Sequence, residues 1–588
     1  MTDLQHVKIP RVVVIGQGAA GLTAALAASQ QGVEVISISK VRPGNATCTV
    51  YAGGGFTLGI GGMSPEEHRR ITHETGRHLN VPELLDAFTE GAPSIVDFLR
   101  DAGVPFAVRR GGLGIRRDPA FPLLGGKPLT DGLHAACLGL GATFLPNMVA
   151  VNLLTSDNGV SGVECVDCSN GEAVTIDADA VILATGGGGA LYERTDNPQR
   201  ITGDGFRLAL DSSCHLLDME FVQFYPIGFD TPGGAHWFLD LSIIDHARAT
   251  APDGREFLKE LLAREGIPSG REANLLARDK CTVAIALESE RGRCLLHLED
   301  IPETEWRSSS YLAAIARMFS PSSPPWAGPV TLFPIEHYFP GGVAIGTSGE
   351  TEIPGLFACG EVTGGVDGAN RVGGNALTNC VLFGMRAGTS AALHASGEAM
   401  APVKVRIGPD SAHVSSTPEE VGLHRGEAGH SSGGLPPAST VPQLDLPKVR
   451  SASDWLKRWK NSAEGGRVAE RSHQAVVSPE TLRIRLKSYS SRYLLPLRRG
   501  PSLEEAHREL SDLRELLDRQ TVQDSRDLLL AFENLGLWYT AALVTRGALL
   551  RQESRGAHFR QDFPREEPAW ERHIYMSRSG DALESYVR

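Results

Sequence analysis

The sequence has no long apolar run and no excess of basic charge, and each absence excludes a class of protein. No stretch of about 18 uncharged apolar residues occurs, which argues against a direct membrane span. The N-terminal residues lead straight into a strand-like run without an apolar signal core, so we expect a cytoplasmic protein whose membrane association would come through partner subunits. With 57 basic and 70 acidic side chains, the net charge of −13 disfavours nucleic acid as a partner.

Cysteine is also scarce. Nine cysteines are scattered through 588 residues, which argues against a disulfide framework. Only Cys165 and Cys168 form a CxxC pair, in a segment whose alternation predicts a β-hairpin, and no second pair completes a four-thiolate zinc or iron–sulfur site. We therefore predict no metal site in this chain.

The first forty residues, in contrast, carry the pattern of a dinucleotide-binding unit. "RVVVIGQGAAGLTAALAASQQGVEVISISK" predicts a buried strand, a glycine turn, a helix and a second strand. Gly16, Gly18 and Gly21 form GxGxxG, which provides a tight turn, close approach of a pyrophosphate and packing of helix on strand. The helix N-terminus would bind phosphate. Ser39 and Lys40 stand where an NAD site usually has an acid, which weakens an NAD assignment.

Three glycine-rich segments lie far from one another in the chain. They are "SKVRPGNATCTVYAGGGFTLGIGG", "AVILATGGGGALYERTDNPQRITGDGFRLAL" and "GLFACGEVTGGVDGANRVGGNALTNCVLFGMRAG", the last with a helix predicted to begin near Asn375. Glycine lets the backbone wrap closely around a large ligand. We therefore expect the three segments to converge on one extended cofactor.

The last third of the chain has a different pattern. Residues 397–450 are rich in Gly, Ser and Pro without a helical or strand period, which predicts a linker or long surface loop. Beyond them, "SLEEAHRELSDLRELLDRQ" and "DLLLAFENLGLWYTAALVTRGALLRQ" carry apolar residues at helical spacing, so we expect a helical domain over 451–588.

In combination these motifs resemble the succinate dehydrogenase and fumarate reductase flavoproteins, a family that also includes L-aspartate oxidase. The resemblance runs from Arg11 to about Trp570, apart from the linker. Beside GxGxxG it rests on "TVYAGGGF", "ILATGGGG", "TGDG", "EFVQFYPIG", "ARDK", "IEHYFPGG", "GEVTGGVDGANRVGGNAL" and "RQESRGAHFRQDFP".

The resemblance implies an α/β fold with a Rossmann-like FAD-binding domain, an inserted α+β capping domain and a C-terminal helical domain. The FAD-binding domain would comprise residues 1–225 and 340–396, and the capping domain 226–339. The implied activity is hydride transfer between FAD and the C=C or C–C bond next to a carboxylate.

The family's FAD contacts can be transferred to this chain position by position. Members that bind FAD covalently use a histidine where this chain has Cys48, so the resemblance implies FAD bound without a histidyl link; a cysteinyl link is the alternative to an ordinary buried thiol. The implied contacts are Gly16, Gly18, Ala19, Ala20, Gly21, Ser39, Lys40, Thr47, Cys48, Thr49, Gly53, Gly54, Ala184, Thr185, Gly186, Asp204, Glu361, Arg371, Asn375, Ala376 and Leu377.

The resemblance also implies the residues of the reaction. Arg371 and His337 match the family's carboxylate anchors, and arginine suits that role because its planar fork binds a carboxylate bidentately. Arg278 matches the arginine that protonates the substrate carbon. Asp245 and Arg248 match the acid and the arginine that resupply this proton, with Asp in place of the usual Glu.

The pattern departs from the family where a second substrate carboxylate would bind. Tyr225 replaces a histidine, and Ile244 replaces a threonine. Tyr225 could still donate one hydrogen bond, which keeps fumarate open. The alternative is an enoate with one carboxylate and an apolar or aromatic substituent against Tyr225 and Ile244. Phe339 and Pro340 are a second indication of a reshaped pocket.

The source of electrons lies outside this chain, since it has no cysteine array for a cluster. The resemblance implies an iron–sulfur partner subunit, and the "ESRGAH" segment, Glu553–His558, fits the multisubunit branch. The competing hypotheses are a self-contained flavoprotein reduced by a diffusible donor, an amino-acid oxidase, and an electron-transfer flavoprotein without a substrate of its own.

Overall fold

Strands and helices alternate through the first part of the computed structural model, which describes residues 9–231, 234, 236–398, 441–464 and 476–588. The strands are β1 (Arg11–Ile15), β2 (Glu34–Ile38), β3 (Gly55–Thr57), β4 (Phe106–Arg109), β5 (Gly112–Ile115), β6 (Thr143–Leu145), β7 (Met148–Ser156), β8 (Gly159–Asp167), β9 (Glu172–Asp177), β10 (Ala180–Leu183), β11 (Leu216–Leu217), β12 (Gln223–Asp230), β13 (His236–Phe238), β14 (Ala249–Thr250), β15 (Cys294–Leu296), β16 (Val330–Tyr338), β17 (Gly342–Val343), β18 (Leu356–Ala358), β19 (Leu497–Arg498), β20 (Phe559–Arg560), β21 (Ile574–Ser579) and β22 (Ala582–Val587). The α-helices are α1 (Ala19–Ser29), α2 (Cys48–Tyr51), α3 (Pro65–Thr75), α4 (Pro82–Gly91), α5 (Ile95–Asp101), α6 (Lys127–Gly139), α7 (Asp204–Asp211), α8 (Phe257–Arg264), α9 (Gly270–Leu276), α10 (Arg278–Arg291), α11 (Glu303–Ser308), α12 (Ser310–Ala316), α13 (Asn375–Ala395), α14 (Ala452–Glu464), α15 (Pro479–Tyr493), α16 (Gly500–Leu517) and α17 (Ser525–Leu550).

A five-stranded parallel sheet organises the cofactor side of the molecule. Its strand order is β18-β10-β1-β2-β6, so β1 lies at the centre between β10 and β2. The valines of β1 are fully buried, as expected for a central parallel strand. Helices α1 and α13 pack on each other and on this sheet. The predicted Rossmann-like unit is confirmed.

A second, antiparallel sheet belongs to the inserted domain. Its order is β13-β12-β16-β15-β14, and its long strands β12 and β16 leave and rejoin the cofactor domain. Helices α8 to α12 complete a separate apolar core that includes Phe257, Ile285 and Trp306. The sheet spans Gln223–Tyr338, close to the 226–339 predicted for the capping domain.

The C-terminal region contains helices α14 to α17, but it is not purely helical. Strands β21 and β22 form a hairpin that joins β11 and β17 of the cofactor domain in one sheet, with Leu216 opposite Met576. Helix α17 is long and apolar enough to cross a membrane, yet 94% of its most apolar 18-residue window is buried inside the protein. It is the central helix of this unit.

The linker predicted at 397–450 is described only at its two ends. Residues 399–440 lie outside the described part of the chain. Residues 441–450 are attached to the C-terminal unit, since Leu444 and Leu446 are buried and the Leu446 N–H donates to the Asp581 carbonyl at 2.7 Å. The end of the predicted loop is therefore packed against the fold.

Candidate active site

The first cavity opens where three parallel strands end. Residues directly after β1, β2 and β10 line it, and its volume is about 110 Å³. This edge is where α/β folds bind nucleotides. Gly16 has φ +116°, and a Cβ there would lie 2.1 Å from the Ala184 carbonyl oxygen, so only glycine fits between the two strands. Gly18 begins α1 without a side chain over the first turn, which suits a phosphate.

A group of charges borders the same cavity. The Lys40 ammonium lies 2.7 Å from Asp204 and 3.2 Å from Glu533, and Arg200 lies 2.8 Å from Glu533. Asp204 begins α7 and can accept hydrogen bonds from sugar hydroxyls. Arg200 and Glu533 were not predicted from the sequence, because nothing in the local pattern marks either as a cavity residue.

A second, larger cavity continues from the first. Its volume is about 740 Å³, and Cys48, Thr49, Glu361 and Cys380 line both. On the first cavity, the buried hydroxyl of Thr185 has no hydrogen-bond partner in the protein, which leaves it for a ligand. Two joined cavities, one glycine-walled at a strand edge and one wide, fit an extended dinucleotide such as FAD.

Most of the predicted cofactor residues lie on these walls. The first cavity is lined by Gly16, Gly18, Ala19, Ala20, Ser39, Lys40, Thr47, Cys48, Thr49, Ala184, Thr185, Gly186, Asp204 and Glu361. The second has Gly53, Gly54, Arg371, Ala376 and Leu377.

Two predicted contacts lie elsewhere. A Cβ on Gly21 would lie 2.0 Å from the Gly16 carbonyl oxygen, so Gly21 serves the packing of α1 on the turn. The Asn375 amide is fully buried, accepting from His68 at 2.9 Å and donating to Thr72 at 3.1 Å. Its side chain supports the start of α13 from behind, and the cavity is lined instead by Gly374 and Ala376.

Cys48 retains an ordinary thiol environment. Its Sγ donates to the Asn197 side-chain oxygen at 2.9 Å. Burial raises its pKa well above the usual value, and the negative charges of Glu361 and Asp196 raise it further. The nucleophilic thiolate is therefore disfavoured.

The two predicted carboxylate anchors lie on the wall of the larger cavity. His337 Nδ1 is 2.6 Å from Asp196, which orients the ring, and burial lowers the pKa of His337 even though Asp196 acts in the opposite direction. Arg371 is 5% exposed, stacks 4.4 Å above the ring of Tyr338, and has a buried Nε without a partner. A buried N–H donor of this kind favours a bound anion.

Arg278 lies on the same wall. Its Nε donates to Asn274 at 3.0 Å, its guanidinium lies 4.8 Å from the centre of the Tyr225 ring, and its Nη1 is buried without a partner. Burial lowers the pKa of Arg278, and the positive charge of Arg371 contributes to the decrease. Both effects make proton release easier than from an exposed arginine.

The predicted relay of Asp245 and Arg248 is not formed in this structure. Asp245 accepts from the backbone N–H groups of Gly270 at 2.7 Å and Arg271 at 3.2 Å, where it caps α9. Arg248 pairs with Asp300 at 2.9 Å, and its side chain is 47% exposed. Neither residue lines the cavity. The shorter aspartate is held by a helix terminus and does not reach toward Arg278.

The departures from the family pattern also have a different geometry from the one predicted. Tyr225 lines the larger cavity, but its hydroxyl is directed to Asn274 at 2.7 Å and Asp240 at 3.3 Å. Ile244 is buried in the core of the inserted domain and is absent from the cavity wall. Phe339 is fully buried beside Phe206 and does not touch the cavity.

Several cavity residues were missed by sequence reasoning. Asp196, Asp240, Asn274 and Phe238 come from loops and edge elements of two domains. The "TDNP" and "FLDL" segments that hold the two aspartates carry no spacing signal. Only the pairing of β12 with β13 and β16 brings them beside His337 and Tyr225.

Comparison with known proteins agrees with this geometry. The FAD binding domain family matches residues 11–377, and the fumarate reductase flavoprotein C-terminal family matches residues 483–586. One subunit of the fumarate reductase (CoM/CoB) of Methanothermobacter marburgensis is 28% identical over 96% of this chain and 97% of its own length. The fumarate reductase flavoprotein subunit of Mycobacterium tuberculosis is also 28% identical, over 97% of this chain and 95% of that one.

The fold has close counterparts among solved structures. The quinol fumarate reductase flavoprotein FrdA of E. coli superposes with a TM-score of 0.78 at 24% identity, covering 98% of this chain and 96% of that one. The same three parts recur there: the parallel-sheet FAD domain, the capping domain and the C-terminal helical domain. The chain belongs to the succinate dehydrogenase and fumarate reductase flavoprotein family of FAD-dependent oxidoreductases, which also includes the L-aspartate oxidases.

Proposed function

We propose that the protein is the flavoprotein subunit of a succinate dehydrogenase or fumarate reductase-like complex, acting on the C=C or C–C bond beside a carboxylate. The observation that carries this proposal is a pair of buried guanidinium N–H groups, Arg278 Nη1 and Arg371 Nε, that have no protein partner on residues lining one cavity. Unpaired buried donors are costly unless an anionic ligand binds them.

The residues divide the chemistry between them. Arg371 and His337 hold the substrate carboxylate and stabilise the negative charge that moves onto it as the bond is reduced. Arg278 gives one proton to the α-carbon and is reprotonated from solvent. Bound FAD supplies the hydride, so that one hydride and one proton together saturate the double bond. Burial of Arg278 and Arg371 strengthens their interactions with the substrate, because the local dielectric is lower than in water.

The partner subunit is supported by the relatives rather than by local surface chemistry. The two fumarate reductase relatives are themselves subunits, which favours an iron–sulfur partner for this chain as well. Within the predicted partner segment, Glu553, Arg555 and His558 are buried. Arg555 donates to the Arg77 carbonyl at 2.9 Å, so this segment links the C-terminal unit to the cofactor domain. We place the complex in the cytoplasm.

Reduction of a monocarboxylic, substituted enoate is a second candidate within the same chemistry. It is favoured by the hydroxyl of Tyr225, which is bonded inside the wall and is not offered to a second substrate carboxylate. Oxidation of an amino acid is the third candidate, as L-aspartate oxidases belong to the same family.

The test is anaerobic reoxidation of the chemically reduced, FAD-loaded protein. We expect fumarate or a monocarboxylic enoate to reoxidise the flavin rapidly, because the anchors can hold either carboxylate. Arg278→Ala should keep FAD bound but slow this step by at least about a hundredfold, since it removes the proton donor. Silence across the whole panel with FAD bound would contradict the proposal and favour an electron-transfer flavoprotein.

A further inference from the structure

The cavity wall contributed by the inserted domain is aromatic and acidic. Tyr225, Trp237, Phe238 and Asp240 line it. Among the described residues of the inserted sheet and its helices, Arg278 is the only arginine or lysine on this wall. The cofactor domain lines the cavity with further arginines, which besides Arg371 are Arg109, Arg110 and Arg117. A dicarboxylate needs cationic or N–H donors at both ends, and the inserted wall offers Arg278 alone.

Three rings form a continuous surface beside the carboxylate anchors. The Tyr225 ring lies 4.9 Å from Phe238 and 5.3 Å from His337, and Phe238 lies 5.6 Å from His337, all between ring centres. Such spacing leaves ring faces and edges for a planar guest to contact.

Asp240 is fixed at the edge of this surface. One of its oxygens accepts from the Ser242 N–H at 3.0 Å, and the other accepts from the Asn274 amide at 2.8 Å. The Tyr225 hydroxyl, besides its contacts with Asn274 and Asp240, accepts from the Leu241 N–H at 3.1 Å. Neither side chain can turn away without breaking several hydrogen bonds.

We propose that Asp240 determines substrate specificity by repelling a second carboxylate, and that the substrate is a monocarboxylic enoate with a planar, uncharged substituent lying against Tyr225 and Phe238. This inference rests on the proposed function and names the substrate class of the same site. A second carboxylate would lie beside a fixed negative charge in a partly desolvated cavity. An aromatic substituent meets no such repulsion and gains ring contacts.

Binding to the oxidised, FAD-loaded protein tests this inference without turnover. Isothermal titration with trans-cinnamate and with fumarate should give a Kd at least about tenfold lower for cinnamate, which corresponds to a difference of about 1.4 kcal/mol. Asp240→Asn keeps the shape of the wall and can still accept from the Ser242 N–H, but it removes the charge. We expect this variant to bind fumarate at least about fivefold more tightly, with the Kd of cinnamate unchanged within about twofold.

The matched control is Asp253→Asn, which removes an exposed aspartate of the same domain that pairs with Arg255. It should leave both affinities unchanged. Equal binding of fumarate and cinnamate by the wild type, or an unchanged ratio in Asp240→Asn, would overturn the specificity inference while the proposed function stands. Binding of neither acid by a protein that retains FAD would overturn both.

Discussion

At the scale of single residues, the thiol of Cys48 decides how the flavin is held. It is hydrogen-bonded to Asn197, and burial together with two nearby carboxylates raises its pKa well above the usual value. A protonated thiol is a poor nucleophile, so no covalent bond to the flavin is expected. Acid precipitation of the purified protein should release all FAD into the supernatant, measured by its absorbance.

Flavin that stays with the precipitated protein would contradict this prediction. Cys48→Ser then identifies the bond, because a cysteinyl link is abolished by that change whereas a link elsewhere survives it. The hydroxyl of serine can keep the hydrogen bond to Asn197, so loss of FAD binding itself is not expected from this variant.

At the scale of an element, helix α9 shows how Asp245 acts. Its carboxylate caps the first N–H groups of α9, and α9 carries Asn274 on the cavity wall. Asp245→Ala should lower the free energy of unfolding of the inserted domain by about 0.5–2 kcal/mol, the usual cost of a lost cap. Thermal unfolding of the FAD-loaded protein measures this change.

Arg248→Gln is the comparison from the same segment. Its ion pair with Asp300 is largely exposed, so we expect less than about 1 kcal/mol of destabilisation and nearly unchanged turnover. A large fall in turnover with stability preserved would instead mean that the proton reaches Arg278 through Arg248.

At the scale of the whole molecule, Glu533 joins three parts of the fold. This fully buried residue of α17 contacts Lys40, Arg200 and Arg483 at 3.2, 2.8 and 2.7 Å. Burial acts to raise the pKa of Glu533, but the three cations outweigh it and hold the pKa below the usual 4.5. Ionised Glu533 therefore stabilises the fold above pH 4.5, and this contribution is lost as the pH falls further.

Glu533→Gln should destabilise the protein by about 3–5 kcal/mol at pH 7, because three cations lose their buried counter-charge. Urea unfolding followed by tryptophan fluorescence measures the effect, and the difference from wild type should shrink as the pH is lowered below 4.5. Glu480→Gln is the matched control. It removes an exposed pair with Arg526 and should cost less than about 1 kcal/mol. An equal effect of both variants would contradict the role of Glu533.

The glycine motifs predicted the cofactor side well because their chemistry is local. A GxGxxG turn between a strand and a helix has one principal geometry, and Gly16 and Gly18 lie where that geometry requires. The roles of Asp245, Arg248 and Ile244 were transferred by motif position alone. Side-chain direction there depends on the neighbouring helix α9 and on Asp300, which no local pattern encodes.

The sequence by itself determined the parallel-sheet FAD domain, the inserted domain, the helical C-terminal unit and the carboxylate anchors, because periodicity and motif residues specify local conformation. Only the tertiary structure decided what surrounds the anchors. The packing of β12 against β13 and β16 sets Asp240 beside Tyr225 and the rings beside His337. Substrate choice depends on these contacts between segments distant in the chain, since charge and shape act through space and not along the sequence.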